Sequence, residues 1–361
     1  MQRYRSDYLE KLNNEAEFDK EHEEVKEIEG RILSLVREIS EYIGRQDPLF
    51  KNFVIPSGSY FEDLKVEGPD EFDFMFCLED LSKPGVCVVK DIPLRPVPDP
   101  GYVDVQVASE SVRRIYRKQR YISNRGNLNS EVLLRRFEEL VEQALRKRKR
   151  HSPEKIDEDY QQVKLRKIPV TFKVRWKGSK YSNYEIAVDL TLSIKLSDGW
   201  PTASDIRRRL NGGHPGYEAF QEAVREGYHL VASTIGESGK HRPCWRLSFS
   251  VAEGIVLKSI FKNPRLVHKV TLKVLKVLRK KHEDDLCLYE AESVSYNVKW
   301  AFHSYVLKTM LLHEWCEFPE ESFWMNNKLG ERVREILERI QNSLKEKDIR
   351  SFWVPDRKSV V

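Results

Sequence analysis

The stretch "EFDFMF", residues 71–76, sets two acids two positions apart in a run of Phe and Met. In a β-strand such positions share a face, so Glu71 and Asp73 sit side by side while Phe72, Phe74 and Phe76 point the other way. Three aromatic rings on one face require an apolar layer beneath the strand. Two carboxylates on the other face repel each other and resist desolvation unless a cation neutralises them. A chain with this strand must build a sheet with one face on a core and the other open to an ion.

A third acid has a comparable setting. Asp189 interrupts the apolar alternation Ile186, Val188, Leu190, Leu192 in "YEIAVDLTLSIKL". If this segment lies beside "EFDFMF", Glu71, Asp73 and Asp189 converge. Three carboxylates with open positions suit Mg²⁺ or Mn²⁺ and two-metal phosphoryl transfer. Upstream, the turn "PSGSY" adds an anion-binding half. Gly58 permits close backbone approach, and Ser59 with adjacent N–H groups can grip β- and γ-phosphates. An exposed strand edge would account for the Glu-x-Asp pair alone, but the order, spacing and apolar flanks together favour a metal site.

The 361 residues are 40% hydrophobic, enough for one large or two ordinary cores, and the net charge of +5 only suggests a polyanionic partner. Cys77, Cys87, Cys244, Cys287 and Cys316 are scattered without a CxxC, and the histidines form no close pair. Zinc is therefore not expected, and a reducing compartment is: the cytosol, with the nucleus as the other setting. The N-terminus lacks the apolar core of a signal peptide, and no run is long enough to cross a membrane, so no membrane partner is expected.

Apolar spacing predicts a long amphipathic helix from about Asp19 to Ile43, stopped at Gly44. Strands follow at "EFDFMFCLE", "GVCVVK" and "YVDVQVA", then a helix capped by Asn129 or Ser130 and ending in "RKRKR". Two more strands span residues 168–176 and 184–196. From Gly216 onward the pattern reads as mainly helical. Asn263-Pro264 is expected to open a helix to about Lys281, with others near Tyr296–His313 and Gly330–Leu344.

The segments "GSYFEDLKVEGPDEFDFMFCLE", "IAVDLTLSIK", "CWRLSFSVAE" and "SVSYNVKWAFH" occur in this order, and together they resemble the signatures of the cyclic GMP–AMP synthase (cGAS) and cGAS-like receptor family. The resemblance implies an α+β fold: a nucleotidyltransferase core with a mixed twisted sheet, a long N-terminal spine helix and a C-terminal helical lobe. The corresponding division is residues 1–50, 51–205 and 206–361. It implies that Glu71, Asp73 and Asp189 are catalytic and bind two metal ions. Gly58 and Ser59 would hold the donor triphosphate, and Lys276 and Ser295 would also contact it. Arg246, Ser248, Ser250 and Glu253 would contact nucleotides, and Tyr296 would stack on a base. Ser248 and Ser250 alternate with Leu247 and Phe249, so one strand face could carry both.

Family members of this kind join ATP, GTP or other NTPs into a cyclic dinucleotide messenger in innate antiviral defence, on activation by nucleic acid. Vertebrate cGAS carries a zinc-binding insertion after the "RLSFS" motif and recognises duplex DNA. Here "VLKSIFKNPRLVHKV" runs straight on, which points to double-stranded RNA rather than DNA. Lys258, Lys262, Arg265, Lys269 and Lys273 make a one-sign face without interspersed acids, suited to phosphate contact and read as the nucleic-acid-binding surface. "RKRKR" is either a second contact or a solvated helix end. A catalytically silent scaffold and a synthetase of linear oligonucleotides are the alternative readings.

Overall fold

The alternation at residues 71–76 becomes strand β2 (Glu71–Leu78), and its Phe72, Phe74 and Phe76 are fully buried. The computed structural model describes residues 2–92, 101–149, 156–159, 169–204, 212–235, 242–283, 303–346 and 348–355. Around β2 lie β1 (Asn52–Ser57), β3 (Cys87–Asp91), β4 (Tyr102–Val107), β5 (Ile156–Asp159), β6 (Val170–Trp176), β7 (Tyr184–Leu196), β8 (Tyr228–Ile235) and β9 (Arg242–Ser248). They form one sheet in the order β1-β2-β7-β8-β9-β4-β3, with the β5–β6 pair attached to β7. Strands β2 and β7 run parallel and the other pairs antiparallel, so the sheet is mixed, within an α+β fold.

The long strand β7 organises the sheet. Its first part pairs with β2 on one side and β6 on the other, and its last four residues pair with β8. The apolar face is covered by α2 (Glu23–Gln46) and α5 (Ser130–Lys149), where Phe137 stacks edge-on against Phe76 at 5.3 Å. The buried stripe of α2 is the one its spacing predicts: Val25, Ile28, Ile32, Leu35, Val36, Ile39 and Ile43. Beyond the sheet, α8 (His268–Lys281), α9 (Ser304–Glu317) and α10 (Leu329–Lys345) pack into the C-terminal helical lobe, α7 (Ser250–Ile260) follows β9 and packs on β8, and α1 (Gln2–Glu15) docks on α8 and α10.

Several expectations need correction. Helix α2 passes through Gly44 and ends at Gln46, where Pro48 disfavours further helix. Asn129, not Ser130, caps α5, its Oδ1 accepting from the Val132 N–H at 3.2 Å. Residues 216–248 are not mainly helical: α6 (Tyr217–Glu226) leads into β8 and β9. Strand β8 opens with five buried residues in a row, so no period-two signal marks it. Asn263-Pro264 forms a turn rather than a helix start: Asn263 Oδ1 accepts from the Arg265 N–H and its carbonyl from the Leu266 N–H, each at 3.1 Å, Val267 N–H bonds to the Trp324 carbonyl at 2.7 Å, and the helix begins only at His268.

One carboxylate fixes the β6–β7 hairpin to the spine. Glu24 at the start of α2 accepts hydrogen bonds from Trp176 Nε1 (2.9 Å), Ser179 Oγ (3.0 Å), Lys180 N (2.8 Å) and Tyr181 N (2.9 Å). Burial opposes its ionisation, but these donors outweigh it and pull the pKa from 4.5 to about 2. A depressed carboxylate stabilises the fold fully above its unfolded pKa, and that contribution fades as pH falls toward the folded value. Melting temperatures are therefore expected to fall between about pH 4.5 and 2 through this contact. In Glu24→Gln that component of the pH dependence should be lost, as thermal melts across the window will measure.

Candidate functional site

Strand β1 ends with Ser57 opposite Asp73, and the chain turns sharply at Gly58 into α3 (Gly58–Phe61). Gly58 has φ +78°, and a Cβ there would lie 1.9 Å from Asp73 Oδ2. Only glycine satisfies both the left-handed backbone and the close approach. Parallel pairing of β2 with β7 puts Asp73 directly beside Asp189, and Glu71 follows on the same face. On the far side of β7, Thr171 of β6 donates to Asp189 Oδ1 at 2.6 Å and fixes that carboxylate.

Ligand oxygens of Glu71, Asp73 and Asp189 all lie within 4.8 Å of one another. Burial, then the charges of Glu71 and Asp189, push the Asp73 pKa up to about 7 despite Lys65. Lys65 is committed to Asp70 at 2.5 Å and Glu71 at 3.3 Å, so it compensates the cluster only at its edge. A crowded set of oxygen donors with unrelieved negative charge fits a divalent cation of the Mg²⁺ or Mn²⁺ type. The three acids read from the sequence are thus brought together.

Gly58 and the half-buried Ser59 stand at the edge of this cluster. Their helix is anchored by Tyr60, whose hydroxyl donates to Glu29 at 2.9 Å and whose carbonyl accepts from Lys20 at 3.2 Å. The following loop, residues 62–70, is gripped by the C-terminal lobe. Lys269 pairs with Asp63, Lys280 with Glu67, and Lys276 Nζ donates to the Leu64 carbonyl at 2.8 Å. Lys276 is pushed down to about 8, chiefly by burial and then by Lys308 and Lys65, while Glu62 and Glu71 act in opposition. It is therefore close enough to the carboxylate edge to feel its charge.

This arrangement corrects the reading of α8 as an unbalanced basic face. Its lysines meet acids distant in sequence, and Lys281 pairs with Glu15. Lys273 is half-buried, and burial followed by the neighbouring Lys269 lowers its pKa. Lys258, Lys262 and Arg265 are exposed. In "RKRKR", Arg146 pairs with Glu142 and Arg148 with Glu38.

The residues expected to contact nucleotides fall on more than one element. Sheet register sets Cys77, Ser193, Val231, Arg246 and Tyr102 in one row across five strands. Cys77 and Ser193 each follow a site aspartate by four residues, so Arg246 belongs to the carboxylate face. Ser248 ends β9 and Ser250 begins α7, so they do not share a strand face, yet their hydroxyls meet at 3.1 Å across the turn. Glu253 is 2% exposed and committed: it pairs with Lys308 at 2.7 Å and accepts from Trp353 Nε1 at 2.9 Å. Lys308 also holds Glu62 at 2.8 Å, and although its burial opposes the charge, the two glutamates raise its pKa.

Ser295 and Tyr296 lie outside the described residues. The Ser-Tyr-x-x-Lys spacing of "SYNVK" recurs nine residues later in "SYVLK", a signal that sequence reading passed over. This second copy opens α9: Ser304 accepts from Arg279 at 3.3 Å, Tyr305 is 41% exposed, and Lys308 is the buried lysine just described. His303, which caps α9, is lowered chiefly by burial and then by Arg279, against the opposing charge of Glu71. Thr171 and Lys308 were likewise missed, because their partners lie on other elements, and Lys65 because only the folded loop brings it onto Asp70 and Glu71.

Residues 60–259 match the Mab-21 protein nucleotidyltransferase domain, and residues 268–358 match the Mab-21 protein HhH/H2TH-like domain. The chain is also 24% identical over 308 residues to cyclic GMP-AMP synthase of Mus musculus, an overlap of 83% of this chain and 54% of that protein. It thus spans about half the length of that relative. No helix among the described residues is long and apolar enough to cross a membrane. The first of the two matched domains contains all three carboxylates and the strands β2 and β7 that present them, and the chain belongs to the Mab-21 nucleotidyltransferase family.

Proposed function

We propose that this protein is a nucleic-acid-activated nucleotidyltransferase that joins two NTPs, ATP and GTP among them, into a cyclic dinucleotide. Its activator is double-stranded RNA in preference to DNA, and its role is innate antiviral sensing in the cytosol or nucleus. The observation that carries the reading is the Asp73–Asp189 register, with Glu71 beside it and Gly58 pressed against Asp73.

The residues divide the work by chemistry. Glu71, Asp73 and Asp189 would hold Mg²⁺ or Mn²⁺, which when bound supplies positive charge to phosphoryl oxygens and acidifies a coordinated hydroxyl. Gly58 N–H, Ser59 and Lys276 bind the donor triphosphate. Asp189, oriented by Thr171, takes the proton from the attacking ribose hydroxyl. Arg246, Ser248 and Ser250 line the base-binding wall, and Tyr305 offers a ring face for stacking. Glu253 acts indirectly, through Lys308 and Glu62, by fixing the segment that follows the phosphate grip. Retention of Ser59 and all three acids favours an enzyme over a silent scaffold.

Incubation of the protein with Mn²⁺ or Mg²⁺, the four NTPs and duplex RNA or DNA is expected to yield a phosphatase-resistant product. Phosphatase resistance separates cyclic from linear material, which carries terminal phosphate, and digestion by a nuclease specific for 3′–5′ linkages then identifies the bond. Glu71→Ala/Asp73→Ala should lower turnover by at least about 10³-fold, the scale of losing a transition-state charge stabiliser. Absence of product with every ligand, in wild type and double variant alike, would sink the reading.

Metal binding is separable from turnover. At a hundredfold excess over Kd, Mn²⁺ should stabilise the wild type by about 2.7 kcal/mol in thermal melts and leave Glu71→Ala/Asp73→Ala unshifted. Gly58→Ala should cost about 1–2 kcal/mol of stability through the left-handed backbone alone. It should also remove the Mn²⁺ shift, since its methyl group displaces the Asp73 carboxylate.

A further inference from the structure

Residues 110–125 form a cationic surface distinct from the lysines of α8. Helix α4 (Glu110–Lys118) and the turn after it carry Arg113, Arg114, Arg117, Lys118, Arg120 and Arg125 against one acid, Glu110. Glu110 pairs with Arg113 and approaches Arg114 at 3.8 Å. Among the described residues no acid stands in ion-pair contact with Arg117, Lys118 or Arg120, and all three are exposed. On α8, by contrast, Lys269, Lys280 and Lys281 are each held by an acid, and Lys276 by a carbonyl.

We propose that α4 and its following turn dock the phosphate backbone of double-helical nucleic acid. The inference rests on the reading that a duplex activates this chain, and it assigns the duplex a surface. At 100° per residue, Arg113, Arg114, Arg117 and Lys118 lie within an arc of about 140° and a rise of about 7.5 Å. A duplex presents one phosphate charge per roughly 1.7 Å of axis with both strands counted, dense enough for Arg114, Arg117 and Lys118 each to meet one, with Arg113 held by Glu110 at their edge.

The chemistry of the patch selects among polyanions. Its aromatics, Tyr116 and Tyr121, are buried, so no exposed ring in residues 110–125 offers a platform for unstacked bases. A single strand would lack that anchor, whereas a duplex read by backbone and shape needs none. A helix lying in a lipid surface needs a continuous apolar face outward. Here Val112 and Tyr116 face the protein, and Ile115 is the one apolar residue of α4 exposed.

The platform is anchored through its buried tyrosines. Tyr116 donates through its hydroxyl to the Leu49 carbonyl at 3.0 Å, and Tyr121 packs edge-on against Phe50 at 5.8 Å. The exposed cations can therefore be changed without touching the contacts that seat the helix.

The test uses the full chain with Arg114→Glu/Arg117→Glu/Lys118→Glu, compared with Lys258→Glu/Lys262→Glu/Arg265→Glu. Fluorescence anisotropy would follow binding to long duplex RNA, duplex DNA and phosphatidylserine-rich vesicles across a salt series. The α4 variant should lose at least about tenfold in duplex affinity, and its log–log salt slope should become shallower by about two to three. Its Mn²⁺ thermal shift and its turnover without nucleic acid should match wild type. The milder Arg114→Gln/Arg117→Gln/Lys118→Gln should show a smaller loss in the same direction, which separates lost attraction from misfolding. Wild-type affinity and slope in both α4 variants would overturn the proposal, as would loss of vesicle binding alone. A wild-type protein that binds neither duplex would overturn the activator reading as well.

Discussion

The parallel pairing of β2 with β7 is the constraint on which the rest of the structure depends. It sets Asp73 beside Asp189 with Glu71 on the same face, and like charges at that distance oppose the fold that holds them. The repulsion is tolerated because the opposite face of the same strands is fully buried. Phe72, Phe74, Phe76, Val188, Leu190 and Leu192 pack beneath α2 and α5, so sliding the register by one residue would expose that layer. The strain is concentrated at Asp73, whose carboxylate is hemmed in by the Gly58 backbone. A cation is the natural counterpart of such a site.

The C-terminal lobe is tied to the same point. Four lysines from α8 and α9 reach the loop between α3 and β2: Lys269, Lys276, Lys280 and Lys308. Lys308 is the deepest, bridging Glu62 of that loop to Glu253 of α7, which in turn accepts from Trp353 near the C-terminus. A buried lysine between two carboxylates is costly to disrupt, because loss of any member leaves an uncompensated charge. Segments from both matched domains thus share one electrostatic unit beside the carboxylates.

Charge counted along the chain misled where charge in space did not. Between Lys258 and Lys281 no acid appears in sequence, yet Asp63, Glu67 and Glu15 neutralise much of α8 from elements folded against it. Helix α4 has the reverse history. Its short basic run is unremarkable in sequence and becomes a surface only because Tyr116 and Val112 turn its other side into the protein.

The sequence by itself determined the carboxylate strand, its apolar underside, the third acid on β7, the glycine turn and the spine helix. Each of these is a local pattern: period-two alternation, a 3.6-residue stripe, or a residue type demanded by one backbone conformation. Tertiary structure alone decided the Asp73–Asp189 register, the neutralisation of α8, the commitment of Glu253 to Lys308 and Trp353, and the end-to-helix turn between Ser248 and Ser250. Strand β8 was hidden because residues buried on both faces carry no alternation. For the register and the α8 ion pairs the physical reason is the same: pairing energy depends on distance in space, and partners more than a hundred residues apart leave no periodic trace in the chain.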